Sequence, residues 1–191
     1  MKDQHRKVSS EQEQLILVDR EDREVGYLSK ADAHDGKGVL HRAFSLFLFN
    51  DDGQLLLQQR APDKRLWGGF WSNSCCSHPR RGESLDIATR RRLREELNFG
   101  TELEHVYWFC YEARFGAAGS ENELCHVYLG RASADVHPND SEIAAIRYLG
   151  PDQLEEEFAT RPETLTPWFR QEWRELTSKY REKLRRYCAL D

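Results

Sequence analysis

Residues 71–97, WSNSCCSHPRRGESLDIATRRRLREEL, place two adjacent thiols, an imidazole and a late carboxylate pair in one loop-then-helix unit. Cys75, Cys76 and His78 stand just ahead of a breaker cluster, Pro79, Arg80, Arg81 and Gly82. Ser84 is positioned to cap a helix that carries Arg91, Arg92, Glu95 and Glu96. On such a helix Arg92 and Glu96, four apart, project from one face. Adjacent residues of an extended chain point opposite ways, so one thiol faces the core and the other a pocket. No other stretch is as dense in groups that bind metal or transfer protons, and the unit reads as an active site.

Upstream of this unit, residues 14–18 and 24–28 predict two short strands about the polar turn 19–23, and residues 1–12 are expected to be disordered. Residues 41–49 are rich in Phe and Leu, Asn50-Asp51-Asp52-Gly53 is a turn, and 54–60 continue with Leu55, Leu56 and Leu57. That pattern predicts a β-hairpin whose strands are covered on both faces. Downstream, 104–115 and 121–131 alternate aromatic and polar residues around 116–120, a second hairpin, and 142–149 predicts a further strand. Pro151 introduces a short helix to residue 158. Thr166-Pro167 starts a longer one over 166–188, with Trp168, Trp173, Leu176, Tyr180, Leu184 and Tyr187 at helical spacing, whose apolar side must cover the sheet. This order predicts an α+β fold with a mixed sheet sandwiched between helices, in a single domain spanning residues 1–191.

The chain has 191 residues, 32% of them charged and 39% hydrophobic, and a net charge of −5, which allows one full core and excludes a generally basic nucleic-acid-binding surface. No apolar run is long enough to span a bilayer, and the leading MKDQHRKVSSEQEQ is polar where a secretory signal needs an apolar core. A cytoplasmic location is therefore expected, with neither a membrane nor a nucleic-acid partner; monomer and homodimer both remain open. Five cysteines, an odd number with one adjacent pair, suit reduced thiols better than a disulfide framework.

Histidines 34, 41 and 78 have plausible carboxylate partners in Glu121 and Glu123, whose i, i+2 spacing puts both on one face of a strand. Taken singly, a histidine is more often a surface or satisfied core residue, and alternating glutamates are usually a solvated face. Together, three imidazoles and two carboxylates suit Mn²⁺, Zn²⁺ or Mg²⁺ better than a structural thiolate site would. Most of the five tryptophans pack in cores, but Trp168, at the start of the last helix, can line a pocket and stabilise positive charge through its π face. Lys30, Arg60, Lys64, Arg91 and Arg92 flank the same region and together suit a diphosphate.

Gly82-Glu83, Arg91, Leu93, Glu95 and Glu96 resemble a degenerate Nudix box, in which Ser77 stands for the first Gly, Arg92 for the Glu after the Arg, and Asn98 for the late Gly. These departures, with S-N-S-C-C-S-H-P, E-N-E-L-C at 121–125 and T-P-W at 166–168, resemble type 1 isopentenyl diphosphate isomerases from about Leu28 to Trp168. The resemblance implies a Nudix-like fold and an isomerase acting on an isoprenoid diphosphate through a tertiary carbocation. It implies that His34, His41, His78, Glu121 and Glu123 bind one divalent metal (Mn²⁺ or Zn²⁺), and that Glu96, with the Cys76 carbonyl, holds a Mg²⁺. It further implies that Cys76 and Glu123 transfer protons with Tyr111 assisting, that Trp168 faces the cation, and that Lys30, Arg60, Lys64 and Arg92 bind the diphosphate. The rival readings are a Nudix pyrophosphohydrolase of a nucleoside diphosphate derivative, against which Arg92 and Ser77 count, and a zinc-binding module without activity, which leaves Glu123 and Trp168 without a role.

Overall fold

Strand β3 (His41–Phe49) organises the molecule because its successive residues are apolar toward both faces of the sheet. In the computed structural model, which describes residues 6–190, β1 (Gln14–Val18), β2 (Glu24–Ser29) and a single-turn α1 (Lys30–Ala33) precede it. After it come β4 (Leu55–Arg60), β5 (Trp71–Ser72), β6 (Cys75–Ser77), α2 (Leu85–Glu96), β7 (Leu103–Phe115), β8 (Gly119–Arg131) and β9 (Ile143–Leu149). Helices α3 (Pro151–Thr160), α4 (Pro167–Lys179) and α5 (Arg181–Leu184) close the chain. The described strands form a nine-stranded sheet. It is mixed: β8 runs parallel to β3, in register from His41 opposite Glu123 to Phe49 opposite Arg131, whereas β6 pairs antiparallel on β3 with Cys76 opposite Ser45.

The two-residue period of the strands sorts the core. Phe47, Phe49, Leu55 and Leu57 pack with Trp168, Phe169, Trp173 and Leu176 on one face, while Phe44, Leu46, Leu48 and Leu56 pack with Ala88, Leu93 and Leu97 on the other. Helix α2 thus covers one side and the terminal helices cover the other, as the sequence pattern predicts. Trp173, fully buried and stacked on Phe47 with 6.4 Å between ring centroids, belongs to a class of core residue whose truncation to alanine costs about 3–5 kcal/mol. Ser84 caps α2, its hydroxyl accepting from the Ile87 amide at 3.2 Å. Just past the helix end Asn98 takes the left-handed conformation, with φ of 62°, which Asn tolerates better than most residues when Gly is absent.

Three expectations change. The first hairpin is almost open: β3 and β4 pair only at Phe49 and Leu55, because β4 turns to β9 and β5 while β3 turns to β6 and β8. The Ser74 hydroxyl bridges the parted strands, accepting from Leu48 N at 2.9 Å and donating to Leu56 O at 2.6 Å. The helix expected over 166–188 breaks at Tyr180, whose φ of −119° and ψ of 24° are not helical. Of the segment expected to be disordered, residues 1–5 lie outside the described residues. The part that follows is tied down, with Val8 O accepting from Arg80 and Arg92 and Ser9 Oγ from Lys30. No helix among the described residues is long and apolar enough to cross a membrane.

Candidate active site

The strand pairings gather residues that are far apart in sequence. His41 opens β3 directly beside Glu123 on β8. Tyr111 on β7 stands opposite the same glutamate, and its hydroxyl donates to Glu123 Oε2 at 2.6 Å. His78 follows β6, and His34 caps the C-terminal end of α1. The chain that carries Glu121 is held against His34 by a hydrogen bond from Ser120 N to His34 O at 2.9 Å. Only glycine permits that approach at position 119, where an added Cβ would lie 2.3 Å from His34 O.

One ligating atom from each of His34, His41, His78, Glu121 and Glu123 lies within 4.8 Å of all the others. The three imidazole centroids are 4.8–5.3 Å apart. Nδ1 of His34 and Nδ1 of His41 each sit 2.7 Å from a backbone carbonyl, of Lys30 and Val39. A carbonyl only accepts, so both Nδ1 atoms carry a proton, and both Nε2 atoms face the cluster, where a metal would take their lone pairs in place of a proton. His41 Nε2 lies 3.7 Å from Glu123 Oε1 and has no hydrogen-bond partner. Glu121 Oε2 lies 2.8 Å from His34 Nε2, yet it too finds no aligned donor. Buried polar atoms left unpaired around one centre are what a divalent cation bound by nitrogen and carboxylate oxygen would satisfy, so the residues fit a metal. Burial and the charges of His41 and His34 hold His78 well below the ordinary histidine value; burial also opposes charge on His34, but the Glu121 carboxylate outweighs it and the net shift is upward.

Cys75 and Cys76 part as the alternation predicts. Cys75 is sealed in the α2-side core, while Cys76 reaches the pocket, where Trp168 Nε1 donates to its Sγ at 3.2 Å and its thiol donates to Asn73 Oδ1 at 2.8 Å. Burial, then the nearby Glu172 carboxylate, pushes the Cys76 thiol up to about 12, so it keeps its proton at neutral pH. Trp168 is almost fully buried, and the Arg60 guanidinium stands over its ring at 5.3 Å from the centroid.

At the other end of the pocket Lys30, Lys64 and Arg92 converge. Two of them share a partner, Glu142, which sequence reasoning treats only as the polar start of a strand. Lys64 pairs with it closely, and Arg92 Nη2 reaches the same Oε2 at 2.9 Å. Arg92 also pairs with Glu96 at 2.6 Å, and burial, then the charges of Glu96 and Glu142, act on it with a net upward shift. Arg91, grouped with these cations in the sequence, turns away to Glu83 and Glu95. Apart from Arg91, all the predicted site residues line this one pocket except His41, which is enclosed behind it. Gln58, Arg65 and Ser45 line it as well, and no sequence motif marks them.

A mixed sheet between helices, with a carboxylate-bearing α2 flanking a polar pocket, defines a Nudix domain, and a NUDIX domain is matched over residues 39–169. A crystal structure from Deinococcus radiodurans shares the fold with a TM-score of 0.67 and 27% identity, covering 92% of this chain and 99% of that one. The chain belongs to the isopentenyl-diphosphate Delta-isomerase family. It is 48% identical over 158 residues to the isopentenyl-diphosphate Delta-isomerase of Burkholderia multivorans, covering 83% of this chain and 89% of that protein. It is 38% identical to isopentenyl-diphosphate Delta-isomerase 1 of Photorhabdus laumondii, covering 90% and 99%.

Proposed function

We propose that this chain, acting as one Nudix-like domain, interconverts isopentenyl diphosphate and dimethylallyl diphosphate in isoprenoid biosynthesis, with Cys76 and Glu123 as its two proton-transfer residues. The observation that carries the residue assignment is the placement of a thiol and a carboxylate on strands β6 and β8, which flank β3 on its two sides, beside one pocket. The reaction needs two such groups. A proton added at C4 uses the alkene electron pair to form a C–H bond and leaves positive charge at C3; loss of a proton from C2 then re-forms the double bond between C2 and C3.

Lys30, Arg60, Lys64 and Arg92 bind the diphosphate, anchoring the substrate so that its alkene end lies between Cys76 and Glu123. Tyr111, hydrogen-bonded to Glu123, orients that carboxylate and assists on its side. Trp168 presents its ring to the C3 cation; the Arg60 guanidinium over the same ring supports this reading, since a ring face attracts positive charge. Aromatic walls around the alkene end keep out water that would quench the cation.

His34, His41, His78, Glu121 and Glu123 would hold Mn²⁺ or Zn²⁺, and Glu96 with the Cys76 carbonyl would hold Mg²⁺, whose preference for hard oxygen donors suits a diphosphate. Bound there, the ions supply positive charge that shifts the acidity of Glu123 and neutralises the diphosphate. Pyrophosphate hydrolysis is disfavoured because Arg91 occupies Glu83 and Glu95, carboxylates a hydrolase would need for further metals. Five cysteines without a disulfide suit work in the reducing cytoplasm. Incubating the metal-loaded protein with isopentenyl diphosphate while following both dimethylallyl diphosphate and free phosphate tests the reading. A double-bond shift without phosphate release is expected; rapid phosphate release without a shift would overturn it.

A further inference from the structure

Behind Cys76 lies a carboxyl group to which the reaction described above gives no part. Glu172, on α4, has no exposed surface, and its Oε2 has no hydrogen-bond partner. Its Oε1 lies 3.4 Å from Cys125 Sγ, Cys125 Sγ lies 3.5 Å from Ser45 Oγ, and Ser45 Oγ lies 3.7 Å from Cys76 Sγ. These separations suit hydrogen bonds to sulfur, and they make one continuous chain from the carboxyl to the pocket thiol. A buried carboxyl without a cation costs stability that a leucine of similar size would not.

We propose that Glu172 is a positioning residue for Cys76, which in its neutral form aligns the Cys125 and Ser45 hydrogens so that the chain ends in a hydrogen bond donated to Cys76 Sγ. The inference rests on the isomerase reading and deepens it. The direction of such a chain is set at its far end. With Glu172 protonated, its O–H donates to Cys125 Sγ, the Cys125 thiol donates to Ser45 Oγ, and the Ser45 hydroxyl donates to Cys76. With Glu172 ionised, Cys125 and Ser45 both turn their hydrogens toward the carboxylate, and Cys76 loses the Ser45 donor and keeps Trp168 Nε1. Cys76 passes through its thiolate in either direction of turnover, and a donor at Sγ stabilises that state.

The groups facing the Glu172 carboxyl are Cys125 and Glu123 from β8, Ser45 from β3, Cys76 from β6 and Tyr107 from β7. None is a cation. Burial raises the carboxyl to about 8, against smaller opposing effects of the Ser45 and Cys125 hydrogen bonds. Burial with no cationic side chain beside it favours the neutral form.

Steady-state isomerisation by the metal-loaded full chain, measured from about pH 6 to pH 9, tests this. The wild type is expected to lose kcat through an alkaline limb within that range. Glu172→Leu should lower kcat about tenfold at pH 7 with KM within about twofold. Glu172→Gln, neutral at every pH and still a donor, should recover most of that loss and lack the alkaline limb. A Glu172→Gln protein that keeps the wild-type limb, or a Glu172→Leu protein with wild-type kcat, overturns the proposal. Should the leucine variant not fold, Ser45→Ala cuts the same chain. It is expected to lower kcat and erase the limb, and a retained limb counts against the proposal equally. A wild type that isomerises while these variants behave like it defeats this inference alone; a wild type that never isomerises defeats the functional reading.

Discussion

Replacing Glu142 by glutamine should destabilise the protein and make it depend on a diphosphate for its recovery. Glu142 is 4% exposed, and its carboxylate holds Lys64 and the equally buried Arg92. Removing one partner of a buried ion pair costs about 3–5 kcal/mol. Arg92 keeps Glu96, so the lower end, about 3 kcal/mol, applies, which for a chain of this size lowers Tm by about 6–12 °C. Inorganic pyrophosphate supplies the missing negative charge. In the wild type it must enter beside Glu142, whereas in Glu142→Gln it meets unpaired cations, so the same concentration should raise Tm by more in the variant. The sign of the pH dependence follows from the shift at Glu142: burial raises its proton affinity, but Arg92 and then Lys64 outweigh burial and leave it below the ordinary 4.5. Its stabilisation is therefore complete above about 4.5 and is lost as pH falls through the lower folded value. The difference in Tm between the two proteins should stay constant from neutrality down to about pH 5 and shrink below that. Melting curves for both, with and without pyrophosphate, decide the matter. A variant that melts within about 2 °C of the wild type, or equal pyrophosphate shifts, refutes the assignment of Glu142 as the resting counter-ion of the diphosphate site.

Cys76→Ala should lower kcat by at least about 100-fold, whereas Cys75→Ala should cost stability and leave turnover within a few-fold; the reverse pattern would mean that the wrong thiol has been assigned. Trp168→Leu should lower kcat about 30-fold, from about 2 kcal/mol of cation–π stabilisation in a dry site, with Trp168→Phe in between, and a change confined to KM would exclude the cation role. Chelation should remove one divalent ion from the His34, His41, His78, Glu121 and Glu123 set, abolish isomerisation and lower Tm. His41→Asn should weaken retention of that ion by elemental analysis, and undiminished metal content would count against the cluster.

What was legible in the sequence had a repeating pattern. The strand over 41–49 announces itself because its apolar residues fill both faces, and α2 because Ser84 caps a helical run. The failures were local elements too short to have a period. Strands β5 and β6 have two and three residues and α1 has four, and without β6 the β3–β4 turn has to look like an ordinary hairpin. The break at Tyr180 was hidden because Leu184 and Tyr187 stay on the helical spacing after the backbone has left it.

The functional residues divide along a similar physical line. Glu121 and Glu123 could be paired from spacing alone, since strand alternation fixes their common face. His34, His41 and His78 needed the parallel β3–β8 pairing, the β6 edge and the close approach at Gly119, none of which spacing encodes; residue type made them candidates, and family resemblance, not periodicity, joined them in one site. Glu142 and Glu172 escaped both routes. A glutamate before a strand or within an amphipathic helix carries no mark in sequence, and its meaning comes from what encloses it: three converging cations for Glu142, and two thiols with a hydroxyl for Glu172. Burying carboxylates that could face water is a cost the fold carries at both ends of one pocket. At one end the charge is matched by cations that a diphosphate can take over, and at the other burial keeps the group neutral, so the same side chain supplies a counter-ion in one place and a hydrogen-bond donor in the other.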